Sequence, residues 1–254
     1  MICDTTLWFG GWTMRVLAGP LIATMGQVTT LVSTSPYSSD DVVAEVEPTS
    51  HGALAAAIEA AGAGAREWRA AAATARAQQL HSMANDLSQA RDRITDLVVR
   101  EVDKPVSEAR GEVQRGIDIL RYHAGSVMMP AGDVLPGATA SGWQFTRRRA
   151  LGTVAVVTPW NFPIAIPLWR LVPALAWGTA VLLKPSSAAI GVAGAVSEIL
   201  QREQVAAVRP SVEVRHGDQG LDRAVSRSGA KPGQRCVNSG DTALHCCNRV
   251  RHGQ

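Results

Sequence analysis

The chain has 254 residues, enough to bury a sizeable core in one or two domains, and its 46% hydrophobic and 19% charged residues are the balance of a globular protein. A formal net charge of +3 is too small to imply an acidic partner, and no apolar run approaches the roughly 20 residues that span a bilayer, so neither nucleic acid nor a membrane is an expected partner. Cys3, Cys236, Cys246 and Cys247 are too few and too unevenly placed for a disulfide framework or a paired zinc motif, and a reduced, cytoplasmic chain without a metal is expected.

Residues 1–24 read as a leader outside the fold. Arg15 and the apolar stretch after it have the outline of a signal sequence, but Pro20 interrupts it and no small-residue cleavage site follows. A translation start at Met25 is the simpler account, with 1–24 irregular. Further on, Leu54, Ala57, Ile58 and Ala61 fall at i, i+3, i+4 and i+7, one face of a helix, and Leu80, Met83, Ala84 and Leu87 repeat the pattern. A third helical run goes from Val106 through Val113, Ile117 and Leu120, after Pro105, which suits a first turn. Trp68, Arg76, Glu108 and Arg110 read as packing or surface residues of this helical layer. Over 132–150 the pattern changes to Gly, Pro, Thr and Ser punctuation around short segments, which predicts a hairpin. Arg147, Arg148 and Arg149 form a short, isolated basic triplet without interleaved aromatics, a solvated strand end rather than a nucleic-acid site.

Val154 to Val157 is a short β-branched run ended by Pro159, a buried strand. Asn161 then stands between two prolines that restrict the backbone, so its carboxamide is held on a rigid turn at a strand end, where it can donate to a negative oxygen. Ile166, Trp169, Leu171 and Leu175 have helical spacing over 164–176, and Gly178 lies where a C-terminal cap is expected. Val181 to Leu183 is a second apolar strand. It leads through Lys184, Pro185, Ser186 and Ser187 into a helical run over 190–203. Strand, helix, strand, helix implies a parallel sheet with a ligand crevice at the carboxyl ends of its strands, where Asn161 and Lys184 both emerge.

The stretches Gly152-Thr-Val-Ala-Val-Val-Thr-Pro-Trp-Asn-Phe-Pro163 and Pro173-Ala-Leu-Ala-Trp-Gly-Thr-Ala-Val-Leu-Leu-Lys-Pro-Ser-Ser187 resemble the aldehyde dehydrogenase superfamily. Upstream, Arg66-Glu-Trp-Arg69, Lys104-Pro105 and Gly111-Glu-Val113 are similar in order and spacing to its helical N-terminal portion. The resemblance implies an α/β fold, an incomplete Rossmann-like parallel sheet with flanking helices, preceded by an α-helical layer and a small β hairpin. Residues 25–208 would form a partial NAD(P)-binding domain, with 132–150 as a hairpin extension. It further implies that Asn161 donates to the oxyanion formed when a thiolate adds to an aldehyde, that Trp160 lines the cofactor cleft, and that Lys184, in the Lys-Pro-Ser segment with Pro185 and Ser186, binds the adenosine ribose. NAD-preferring members commonly carry a glutamate where this chain has Ser187, so NADP is expected to be accepted at least as well as NAD. Members assemble as homo-oligomers through the hairpin and a strand near the C-terminus, and no such partner strand is recognisable here. The Thr-Pro-Trp-Asn-Phe-Pro version of the motif is similar to that of semialdehyde-oxidising members.

After about Val208 the family pattern stops. The further strand, the Gly-Ser-Thr segment over the cofactor phosphates and the Glu-Leu-Gly-Gly context of the general base are not found. Residues 209–254 hold eight Arg or Lys, four Asp or Glu and no sustained period of 2 or 3.6, which predicts an irregular or out-of-frame tail. Within it, Gly233-Gln-Arg-Cys236 matches the Gly-Gln-x-Cys around the family's nucleophile and makes Cys236 a candidate remnant of it. Only 75 positions (236 − 161) separate it from Asn161, fewer than the family needs, and without a base a thiol of pKa about 8.5 stays mostly protonated. His245, Cys246 and Cys247 lack a second ligand pair and read as incidental. Two readings stay open: a truncated NAD(P)-dependent aldehyde dehydrogenase, and a catalytically inactive fragment with at most weak nucleotide binding or subunit interaction.

Overall fold

The computed structural model describes residues 5–9, 12–16, 30–137, 142–202 and 208–210. It opens with β1 (Thr5–Phe9) and β2 (Trp12–Val16), an antiparallel pair that meets the following hairpin at the single pair Arg15↔Glu45. These two strands fall within the stretch expected as a leader, the rest of which lies outside the described residues. Threonine- and aromatic-rich runs on either side of Gly10-Gly11 are a hairpin signal that the outline of a signal sequence concealed. β3 (Leu31–Ser35) and β4 (Ser38–Val46) are antiparallel, with register shifts at Ser33/Thr34 and Thr34/Ser35, and β4 buries Val43 and Ala44.

Four helices form the next layer. Ser50 starts α1 (His51–Ala70), its hydroxyl accepting the Ala53 amide at 3.1 Å, and the helix buries Leu54, Ile58, Ala61, Ala65 and Trp68. α2 (Ala73–Gln89) buries the four positions read from its period, and α4 (Val106–Ser126) buries Val113, Ile117 and Leu120 as expected. Pro105 precedes α4 as its N-cap residue, one position before the first turn. Between them lies α3 (Arg91–Val102), which the sequence reading passed over. Its boundary with α2 is a single residue, Ala90, with no glycine or proline to mark it, and charged neighbours mask the stripe of Ile94, Val98 and Val102. No helix among the described residues is long and apolar enough to cross a membrane.

The expected hairpin is present as β5 (Val134–Pro136) and β6 (Trp143–Phe145), antiparallel and exposed on both strands. The parallel sheet follows: β7 (Thr153–Val157), α5 (Ala165–Ala176), β8 (Ala180–Lys184), a 3-10 turn (Ser187–Ala189), α6 (Ile190–Arg202) and β9 (Val208–Pro210), in the order β7-β8-β9. Ala180 to Leu183 are buried at every position, and α1 and α5 both pack on β7 and β8, so both sheet faces are covered, as parallel strands require. β9 corrects the expectation that no strand follows residue 208: Val208, Arg209 and Pro210 pair with Val181, Leu182 and Leu183. Three residues carry no period to read, and a proline is tolerated on an outer strand.

Helix α5 buries Leu168, Leu171, Val172 and Leu175, while Trp169, assigned to the same face from the sequence, is 60% exposed. Its end is a Schellman motif. The amides of Gly178 and Thr179 donate back to Leu175 O and Ala174 O, both at 2.9 Å, and Gly178 takes φ +81°. Two side chains from the helical layer complete it: Trp68 Nε1 donates to Leu175 O at 2.7 Å and Arg76 Nε to Ala176 O at 3.0 Å. A Cβ on Gly178 would lie 3.1 Å from Arg69 Cα, whereas one on Gly111 would meet nothing within 4 Å. Gly178→Ala is therefore expected to destabilise the fold by about 1–2 kcal/mol, and Gly111→Ala, in an exposed helical position, to stabilise it by about 0.5–1 kcal/mol. Urea unfolding of the two variants should show opposite shifts in midpoint.

Candidate functional site

The parallel register sets Val157 opposite Lys184, and the Thr158 amide extends the pairing by donating to Lys184 O at 3.1 Å. The loops after β7 and β8 therefore leave neighbouring strands at the same level, which is where open parallel sheets form ligand crevices. In the first loop Trp160 is 53% and Phe162 46% exposed, and Asn161 between them is exposed, while Pro163 and Ile164 are buried. Thr158, at the root of this loop, is buried, and its hydroxyl has no hydrogen-bond partner among the described residues.

What holds this loop comes from far away in the sequence. α5 begins at Ile164 and Ala165 without a local capping side chain. Glu112, a buried residue of α4, supplies the cap: its Oε1 accepts the amides of Ile164 at 2.8 Å and Ala165 at 3.0 Å. Its Oε2 pairs with the ammonium of Lys104, whose side chain is itself only 9% exposed. That ammonium donates also to Asn161 O at 2.9 Å and stands 4.0 Å from the centre of the Phe162 ring. Lys104 can lie here because α3 ends at Asp103 in the left-handed region (φ 54°), a conformation aspartate tolerates, and the chain reverses at once into α4.

The second loop is secured by the same device. Glu101 of α3, 2% exposed, accepts the Gly191 amide at 2.8 Å and the Val192 amide at 2.7 Å, capping α6. Gly191 permits this approach, since a Cβ there would lie 3.2 and 3.3 Å from the two carboxylate oxygens. Within the loop, Lys184 Nζ donates to Pro185 O at 3.3 Å, Pro185 is buried, and Ser186 Oγ accepts the Ala188 amide at 3.2 Å as the cap of the 3-10 turn. Ser187 is exposed.

Six of the residues singled out from the sequence, Trp160, Asn161, Lys184, Pro185, Ser186 and Ser187, thus lie at the end of β8 or on the loops that leave β7 and β8. The groups turned to solvent are Trp160, Asn161 and Ser187, with Lys184 half-buried. Cys236, the candidate nucleophile, lies outside the described residues, as do His245, Cys246 and Cys247. The electrostatics of the crevice are specific. A helix N-terminus following a parallel strand is a ready phosphate site, but here both are occupied by protein carboxylates. Among the described residues, these two helix ends therefore have no free amides to offer an anion. Lys104, Glu112 and Glu101 were missed as site-forming residues. The signal was present: Glu101 and Glu112 occupy core-facing positions of their helices, beside Val98 and Val102 and between Ala109 and Gly116, where a charge needs a buried partner.

Comparison with known proteins adds kinship to this geometry. Residues 24–210 match the model of the aldehyde dehydrogenase family. The chain is 39% identical over 153 residues to the alpha-ketoglutaric semialdehyde dehydrogenase of Bacillus subtilis, an alignment covering 60% of this chain and 31% of that protein. Among solved structures it is similar to an NADP-dependent enzyme of E. coli, with TM-score 0.69 and 29% identity over 73% of this chain and 39% of that one. It is similar also to an NAD-dependent benzaldehyde dehydrogenase of Corynebacterium glutamicum, with TM-score 0.69 and 26% identity over 81% of this chain and 44% of that one. The chain thus spans about a third of the length of the curated relative it matches.

Because Glu101 accepts two amides with its two oxygens, Glu101→Gln replaces one acceptor by a donor facing a donor. The variant is expected to lose about 1.5–3 kcal/mol of stability. Hydrogen exchange should place the loss at the Gly191 and Val192 amides before it reaches the middle of α4.

Proposed function

The chain belongs to the aldehyde dehydrogenase family, and from that premise we propose that its two loops form the oxyanion-donating and nucleoside-facing side of an NAD(P)-dependent aldehyde oxidation site. The reaction takes aldehyde, water and NAD(P)+ to carboxylic acid, NAD(P)H and a proton. The observation that carries the reading is that Asn161 and Lys184 emerge from neighbouring strand ends, with Asn161 exposed to solvent there.

In this reading Asn161 donates an N–H to the aldehyde oxygen as a thiolate adds to the carbonyl carbon and that oxygen becomes negative. A donor held for that charge lowers the barrier by about 3 kcal/mol. Lys184 and Ser187 donate to the hydroxyls of the adenosine ribose, and the exposed Trp160 ring walls the cleft. Ser187 in place of an acidic side chain leaves room for a 2′-phosphate. The nicotinamide cofactor supplies the hydride acceptor. The nucleophile is assigned to Cys236, from its Gly-Gln-Arg-Cys context. A semialdehyde is the substrate class, supported by the relative named as an alpha-ketoglutaric semialdehyde dehydrogenase. The apolar, exposed Val134, Leu135, Trp143 and Phe145 of the β5–β6 hairpin support subunit association through that hairpin.

One observation favours a second reading, in which the chain is catalytically inactive and binds nucleotide weakly. Both helix N-termini at the crevice are filled by Glu101 and Glu112. A panel of aldehydes with NAD+ and NADP+, followed by absorbance of the reduced cofactor, separates the two. Turnover that Cys236→Ala abolishes and Asn161→Ala lowers about 10²–10³-fold supports the enzyme; absence of turnover selects the second reading. Calorimetry is expected to give NADP+ binding at least as tight as that of NAD+, and tighter NAD+ binding would overturn the role given to Ser187.

A further inference from the structure

We propose that Lys104 is the positioning residue of the Asn161 loop, and that its ion pair with Glu112 sets the direction of the Asn161 carboxamide rather than only stabilising the fold. The inference deepens the proposed function and rests on Asn161 being the oxyanion donor.

The Lys104 ammonium has three different groups around it: the Glu112 carboxylate, the carbonyl of Asn161 at 2.9 Å and the Phe162 ring, its centre at 4.0 Å. The first anchors Lys104, because Glu112 is itself fixed by the amides of Ile164 and Ala165. The other two grip Asn161 by its backbone and the following residue by its ring. Trp160, Asn161 and Phe162 are otherwise exposed, and among the described residues helix α5 ties this loop from one side, through the Ile166 amide on Phe162 O at 3.3 Å. Fixing the carbonyl of Asn161 fixes the plane of the peptide bond that follows and the position of the Asn161 Cα in it, which narrows the direction in which the Cα–Cβ bond carrying the carboxamide can leave. A donor needs that direction held, since a displacement of about 1 Å can cost a factor of about 10² in rate. A charge buried for fold stability alone would need no contact with an exposed loop residue. Lys104 makes two.

The test uses the full chain with selective 15N labelling of asparagine. The sequence has four, Asn85, Asn161, Asn238 and Asn248, so the side-chain carboxamide spectrum holds four pairs of signals, and Asn161→Ala identifies its own pair by its loss. In Lys104→Met the Asn161 pair is expected to shift or broaden while the Asn85 pair on α2 stays in place. Lys104→Arg, which keeps a charged donor, is expected to restore the Asn161 pair. Phe162→Leu, a milder change that removes the ring and leaves the ion pair, should move the Asn161 pair in the same sense and keeps the test open should Lys104→Met not fold. An Asn161 pair unmoved in Lys104→Met and Phe162→Leu, equal movement of Asn161 and Asn85, or an Arg variant indistinguishable from the Met variant would each overturn the proposal. Turnover is read alongside: kcat falling by about 10-fold or more in Lys104→Met with the aldehyde KM within about twofold supports positioning, and an unchanged kcat overturns it. A parent chain without turnover counts against the proposed function, while the carboxamide signals still decide the positioning.

Discussion

Two carboxylates withdrawn from water, Glu101 on α3 and Glu112 on α4, hold the first turns of the two helices that follow the sheet strands. A buried charge is costly unless several donors meet it, and each of these meets two main-chain amides at the positive end of a helix. Lys104 adds a cation to one of them. The constraint runs outward from there. α5 and α6 cannot rotate or slide without unpairing a carboxylate, so the loops after β7 and β8 start from fixed points, and the residues they carry are presented side by side.

On the proposed reading, the same arrangement limits what the crevice accepts. Helix ends after parallel strands attract phosphates, and filling both with carboxylates makes them repel anions instead. On the proposed reading a dinucleotide would approach with its ribose toward Lys184 and Ser187, and its pyrophosphate would need donors other than these two helix ends. The third strand, β9, keeps the parallel order going beyond the two loops, in line with a crevice that continues on that side.

Much of this was legible in the sequence, and the limits have physical causes. β7 and β8 are readable because parallel strands covered on both faces are unbroken apolar runs, bounded here by Pro159 and Lys184-Pro185. α5 is readable from its period and from Gly178, whose positive φ the Schellman motif uses. The face of α5 is less so: Trp169 counts as apolar in any period, yet it points to solvent, while Leu168 beside it is buried. α3 is invisible to periodicity because a chain can break a helix at Ala90 without any residue that announces a break. The capping glutamates are hardest. A glutamate in an apolar stripe signals a buried partner, but the identity of that partner, 52 or 90 positions along the chain, is a property of the packed layers.

Those separations bear on how the protein is made. Synthesis runs at about 5–20 residues per second, so the ribosome releases Glu101 and Glu112 several seconds before the amides they will cap, 52 to 91 residues later, exist. During that interval Glu101 has only water to satisfy it and Glu112 only water and Lys104, so the nascent helical layer cannot close over them. Arrival of α5 and α6 dehydrates both charges and seals the interface together, which makes the late docking step a cooperative one and leaves the early helices an open platform until it occurs.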